Sequence, residues 1–220
     1  MTVRQVLKNA ADALGGVGIA DPIVDASLLL SHVTGIPPLM LRADGWRDIS
    51  EDHEAAFQAL LARRLQREPL QYILGEVEFM GLSLRVSPDA LIPRYDTEVL
   101  CEEALKRVKP LDRVLDLCTG TGVIALTVKK HAPECAVSAG DISEKALQLA
   151  QENARRNQLA VDFYQGDLLT PFDGKTFDMI ISNPPYISQE DMRTLQPEVL
   201  RSAPSHPLVC LPLLKIPARA

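Results

Sequence analysis

From Asp96 onward the apolar residues switch repeatedly between the helical and the extended period. Glu98–Val108 has helical spacing, Arg113–Leu117 (RVLDL) is a short apolar run, Val123–His131 is helical, and Ala136–Ala139 is again strand-like. Ser143–Asn157 reads as a helix capped by Ser143, and Val161–Tyr164 and Phe177–Ser182 (FDMIIS) read as two further strands. Strands separated by helices cannot pair as hairpins. The crossovers make neighbouring strands parallel and lay helices on both faces of the sheet. The chain is therefore expected to be α/β, Rossmann-like, with a mostly parallel sheet.

The first 70 or so residues keep to the helical period. Val3, Val6, Leu7, Ala10, Ala11 and Leu14 share one face, and Gly15-Gly16 is expected to stop that run. Asp21-Pro22 supplies an N-cap and a first-turn proline for a second helix reaching about Val33. Ser50 is expected to cap a third. Glu51, Asp52 and Glu54 fall in its first turn, Arg63, Arg64 and Arg67 in its last, and Pro69 ends it, which suits the helix dipole. Glu76–Phe79 and Leu82–Val86 around Met80-Gly81 then read as a β-hairpin.

Composition excludes several classes. With 46% hydrophobic and 24% charged residues the chain can bury a core and is not a disordered one. No run of 18 uncharged apolar residues occurs, so no membrane span is expected, and the N-terminal segment has the pattern of neither a signal nor a transit peptide. The net charge of −6 argues against a protein that wraps nucleic acid. Cys101, Cys118, Cys135 and Cys210 form no CxxC pair, and the four histidines are scattered, so free thiols, a cytoplasmic location and no metal site are expected.

Four stretches carry chemistry. Asp116-Leu-Cys-Thr-Gly-Thr-Gly122 runs off a strand into a helix, where glycines let backbone approach a ligand and an acid at the strand end favours a ligand bearing an amino group. Asp141 ends the next strand, where a carboxylate can accept both hydroxyl protons of a ribose; its plain alternative is to cap the following helix, which Ser143 could do anyway. Gly166-Asp167 follows the next strand, where an acid can accept from the amino group of adenine or serve only as a turn residue. Together the three acids outline an adenosine beside a glycine loop. Asn183-Pro184-Pro185-Tyr186 follows FDMIIS directly. Its prolines free rigid carbonyls, Asn183 adds another acceptor for a planar NH2 group, and Tyr186 can lie flat on that plane.

Asn-Pro-Pro-Tyr after a glycine loop resembles the S-adenosylmethionine-dependent methyltransferases that act on NH2 groups conjugated to a π system. Pro69-Leu-Gln-Tyr-Ile-Leu-Gly75, Glu78-Phe79, Gly81-Leu82 and Leu91-Ile-Pro-Arg-Tyr-Asp-Thr-Glu98 narrow the likeness. Over residues 1–198 the chain resembles the HemK-like protein-glutamine N5-methyltransferases, specifically those acting on peptide chain release factors. Two departures stand out. Tyr95 replaces a typical proline, in what reads as a connector, and Cys118 replaces a frequent glycine, where a side chain would resist a positive φ.

The resemblance implies a class I S-adenosylmethionine methyltransferase with a small helical substrate-binding domain over 1–70. A hairpin connector over 71–95 and a partial methyltransferase domain over 96–198 would follow. It implies methylation of the glutamine in a Gly-Gly-Gln motif, with cofactor contacts from Asp116, Cys118, Thr119, Gly120, Thr121, Gly122, Asp141, Asp167, Leu168 and Asn183. Asn183, Pro184, Pro185 and Tyr186 would hold the substrate amide, with Asn183, Pro184 and Tyr186 catalytic. A monomer that acts on release factors and touches neither nucleic acid nor membrane is expected. Adenine-N6 DNA methyltransferases share the Asn-Pro-Pro-Tyr logic but need a basic cleft. Residues 1–75 carry 7 basic against 9 acidic side chains. A glutamine methyltransferase of a large-subunit ribosomal protein shares most motifs, and an inactive chain that only binds cofactor or partner is the non-catalytic alternative.

After Glu198 no acid occurs, against 29 before, and prolines fall at 204, 207, 212 and 217. That spacing is incompatible with a central strand. An irregular tail over 199–220, as from a frameshifted or alternative end, is expected, with a sheet incomplete at its C-terminus, low stability and impaired catalysis.

Overall fold

The computed structural model describes residues 1–184. They fall into two compact units, the first Met1–Gly75 and the second starting at Glu76.

In the first unit the apolar face of residues 3–14 becomes α1 (Val3–Gly16), opened by a reciprocal cap between Thr2 and Gln5. The expected stop at Gly15-Gly16 is displaced. Both glycines complete the last turn, and the chain leaves the helix at Gly18 (φ 77°), with Ile19 N–H returning to the Leu14 carbonyl. Next come α2 (Pro22–Thr34), a short α3 (Pro38–Ala43), α4 (Glu51–Leu65) and a five-residue α5 (Leu70–Leu74). Ser50 caps α4 through His53 N–H. Arg67 lies beyond α4 rather than in its last turn, at φ 65°, and Pro69 opens α5. Leu14, Leu29, Leu30, Leu41 and Phe57 fill this unit's core. Beside them Arg64 donates to Asp25 at 2.7 Å.

The second unit begins with β1 (Glu76–Phe79) and β2 (Leu82–Arg85), paired antiparallel with Phe79 opposite Leu82. The two-residue turn has positive φ at both Met80 (45°) and Gly81 (76°), the backbone hand that matches strand twist. α6 (Tyr95–Leu105) starts three residues before the sequence suggests. Tyr95 is thus not a connector residue but the first residue of a helix. The first helical position also accommodates proline, and Tyr95 there is exposed.

β3 (Arg113–Leu117), α7 (Val123–His131), β4 (Ala136–Asp141), α8 (Glu144–Arg156), β5 (Asp162–Gln165), a 3-10 turn (Thr170–Phe172) and β6 (Met179–Ser182) complete the described chain. The four strands are all parallel, in the order β5-β4-β3-β6. Strand alternation divides the core. Val114, Val137, Ala139 and Ile181 pack with α7, whereas Leu115 and Leu117 meet Phe172 on the opposite face. Asp116 shares Val114's face, so its carboxylate points at the N-terminus of α7. Among the described residues no helix is long and apolar enough to cross a membrane. The expected tail lies outside the described residues.

Candidate functional site

The loops that follow β3, β4, β5 and β6 all leave the same, C-terminal, end of the sheet, and β3 lies where chain order reverses between β4 and β6. In parallel sheets that is where ligands bind. Three bonds lash these strand ends together. Thr119 N–H donates to Gly140 O (3.0 Å), Gly166 N–H to Asp141 O (3.1 Å), and the Ser182 hydroxyl to Leu117 O (2.8 Å).

The glycine loop needs its left-handed backbone. Cys118 (φ 59°), Gly120 (55°) and Gly122 (82°) all have positive φ. Gly122 answers to packing, because a Cβ there would come within 3.0 Å of the Ala150 Cβ on α8. Gly120 faces open space apart from Ala90, whose Cβ would lie 3.8 Å away. Cys118 adopts the conformation that its side chain was expected to resist. Burial, with Asp141 adding to it, pushes its thiol up to about 11, so it is no nucleophile at neutral pH.

Asp116 is wholly buried. Its Oδ2 accepts from the Thr119 hydroxyl (2.5 Å) and from Ala125 N–H (3.1 Å), while Oδ1 has no partner. Burial raises this carboxyl to about 7, against the pull of those two donors. Asp141 does not cap α8, since Ser143 does so through Ala146 N–H. Its carboxylate instead takes Gly120 N–H on Oδ2 (2.9 Å) and Ser143 N–H on Oδ1 (2.9 Å), leaving one lone pair on each oxygen. Asp167 is exposed, and Leu168 beside it is half-buried at φ 45°.

On the other flank of β3, Asn183 and Pro184 are half-buried. The Asn183 amide nitrogen donates to the Thr97 hydroxyl oxygen at 3.1 Å. Pro185 and Tyr186 lie outside the described residues.

Two contacts at the candidate site are not legible in the sequence. Thr97 stood only as part of a motif, and Asn153 was one polar residue on the buried face of α8. Asn153 is fully buried. Its Oδ1 takes Arg85 N–H (2.6 Å), and its amide NH2 donates to the carbonyls of Arg85 (3.0 Å) and Thr121 (2.9 Å), joining β2 to the glycine loop. A fully polar side chain amid Leu149, Ala150 and Ala154 was the available signal.

The site's donor balance bears on what can bind. Thr119, Gly120 and Gly122 have already committed their N–H groups within the fold, so the loop is poorly equipped to cradle a polyphosphate. What remains is acceptor capacity on Asp116, Asp141 and Asp167. That set fits an adenosine carrying hydroxyls and a charged amino group, as S-adenosylmethionine does.

Sheet order, glycine loop and strand-end acids define a class I methyltransferase. Consistent with that, the methyltransferase small domain family matches residues 95–207, and the PrmC N-terminal domain family matches residues 5–75. The chain is 41% identical over 203 residues to a release factor glutamine methyltransferase of Geobacter sulfurreducens, spanning 92% of this chain and 72% of that one. The enzyme of the same name from Deinococcus radiodurans is 42% identical over 90% of this chain and 72% of its own. For that of Vibrio cholerae the figures are 43%, 87% and 68%. The chain belongs to the release factor glutamine methyltransferase family.

Proposed function

We propose that this chain transfers a methyl group from S-adenosylmethionine to the side-chain amide nitrogen of the glutamine in the Gly-Gly-Gln motif of peptide chain release factors. The observation that carries the reading is the fixed Asn183 amide at the end of β6, next to the glycine loop that follows β3. When bound, S-adenosylmethionine supplies an electrophilic sulfonium methyl. Asp116, Asp141, Asp167 and Leu168 hold it together with Cys118–Gly122.

A carboxamide nitrogen is a weak nucleophile because its lone pair is delocalised. Asn183 Oδ1 and the Pro184 carbonyl accept its two hydrogens, favour a pyramidal nitrogen and orient the lone pair. Tyr186, with Pro185, confines the amide plane. No general base is required before attack, because the nitrogen's proton becomes acidic once it is alkylated. The helical first unit helps to grip the release factor, and the enzyme works in the cytoplasm as a monomer, without direct contact to nucleic acid.

The test is mass spectrometry of a purified release factor after incubation with the protein and S-adenosylmethionine. One methyl group on the Gly-Gly-Gln glutamine is expected. Transfer to a ribosomal protein or to DNA instead, or cofactor binding with no transfer, would overturn the reading. Asn183→Ala should lower kcat by roughly 100-fold or more, the cost of one positioned hydrogen bond of about 2.7–4 kcal/mol. A variant retaining above about a tenth of the wild-type rate would argue against this role.

A further inference from the structure

The geometry points to Thr97 as the positioning residue for Asn183, an assignment that rests on the reading of Asn183 as an acceptor for the substrate amide. The final torsion of an asparagine is broad and nearly two-fold, so a free Asn183 would offer its oxygen in one orientation and its NH2 group in the other. Only the first can receive the hydrogens of a substrate amide. The second sets donor against donor.

In the structure Thr97 holds the first of these orientations. It lies in the first turn of α6, is 3% exposed, and has its backbone N–H fixed to the Arg94 carbonyl at 2.9 Å. From there its hydroxyl oxygen takes the Asn183 amide nitrogen at 3.1 Å, which leaves Oδ1 as the presented atom. Nothing in the helical pattern of α6 asks for a hydroxyl at this position. Its neighbours there, Cys101 and Ala104, are apolar and buried. The Asp96-Thr97-Glu98 segment thereby gains a task in the chemistry, although it is 86 residues away in sequence.

The test uses Thr97→Val, which keeps the shape and removes the acceptor, and Thr97→Ser, which keeps the acceptor. In Thr97→Val, kcat for release-factor methylation should fall at least about tenfold, while KM and S-adenosylhomocysteine affinity stay within about twofold. Thr97→Ser should stay within about threefold of wild type. A Thr97→Val enzyme within that margin, or a Thr97→Ser enzyme as slow as Thr97→Val, overturns the assignment. Should Thr97→Val fail to fold, solvent exchange of the Asn183 side-chain NH2 protons in wild-type protein decides by nuclear magnetic resonance. Slowed exchange relative to exposed asparagines supports the bond, and equal exchange overturns it. If the wild-type protein methylates no release factor, the functional reading falls, and the exchange measurement still decides the Thr97–Asn183 bond.

Discussion

Asp116 is an acid kept where its charge is least welcome, and pH should expose that. Its carboxyl moves from 3.8 to about 7 on folding, chiefly by burial. Between those values the folded chain holds a proton that the unfolded chain has released. The resulting stabilisation is therefore full below about pH 4 and is lost as pH rises through about 7. Asp116→Asn removes the titration and keeps an acceptor for Thr119 and Ala125. Comparing urea midpoints at about pH 4.5 and about pH 8, the wild type should lose more stability on going up than the variant does. Equal losses would show that Asp116 is not the titrating group. Cys118 is the second residue under tension. A left-handed backbone costs a residue with a Cβ about 1–2 kcal/mol, and glycine's extra freedom when unfolded offsets about 0.5–1 of that. Cys118→Gly should then raise stability by about 0.5–1 kcal/mol, read as a Tm higher by roughly 2–3 °C. A lower Tm would contradict the strain.

Between elements the decisive joint is made by two amides, Asn153 of α8 and Asn157 just past its end. Asn153 satisfies both backbone groups of Arg85, and Asn157 does the same for Ser83 (3.1 and 2.9 Å). Asn153→Ala would leave Arg85 N–H, Arg85 O and Thr121 O without these partners, at a cost of about 2–3 kcal/mol. The glycine loop would also slacken. A denaturant titration should show the first effect and calorimetry with S-adenosylhomocysteine a weaker affinity. Unchanged affinity would mean that Thr121 O needs no such support. These joints explain what the sequence left unread. Ser50, Ser143, Met80-Gly81 and RVLDL are local signals, each settled within a few residues, and the structure has them in place. So too does it place Asp116, Asp141 and Asn183 at one end of the sheet, because strand ends follow from strand assignments. α3 and α5 are too short to carry a period, and Pro69, whose place after the arginine run suggests an end, is the beginning of α5. Thr97 to Asn183 and Arg85 to Asn153 are meetings of distant residues. They depend on how α6 and α8 pack, which no local pattern states.

Across the whole molecule the two units can be tested separately. In the first, Arg64 and Asp25 face each other at 2.7 Å with side chains only 10% and 12% exposed. Removing Asp25 takes the carboxylate from a buried guanidinium that keeps its bond to the Glu68 carbonyl, at a cost toward or below the lower end of the roughly 3–5 kcal/mol of a fully broken buried pair. Asp25→Ala should open the helical unit to proteolysis and cut methylation of intact release factor. S-adenosylhomocysteine affinity, which the proposed site assigns to the second unit, should stay within about twofold. A matching loss of affinity would refute that division of labour. The Asn153–Asn157 joint also has a consequence in time. β2 leaves the ribosome 68 residues ahead of Asn153, a lag of roughly 3–14 s at ordinary synthesis rates of about 5–20 residues per second. Throughout that interval the hairpin is a bare two-stranded ribbon with unpaired amides along its outer side, marginal by itself and open to any extended chain nearby. Each nascent molecule thus passes through a short window of vulnerability, which closes when α8 emerges and its asparagines take the place of a third strand.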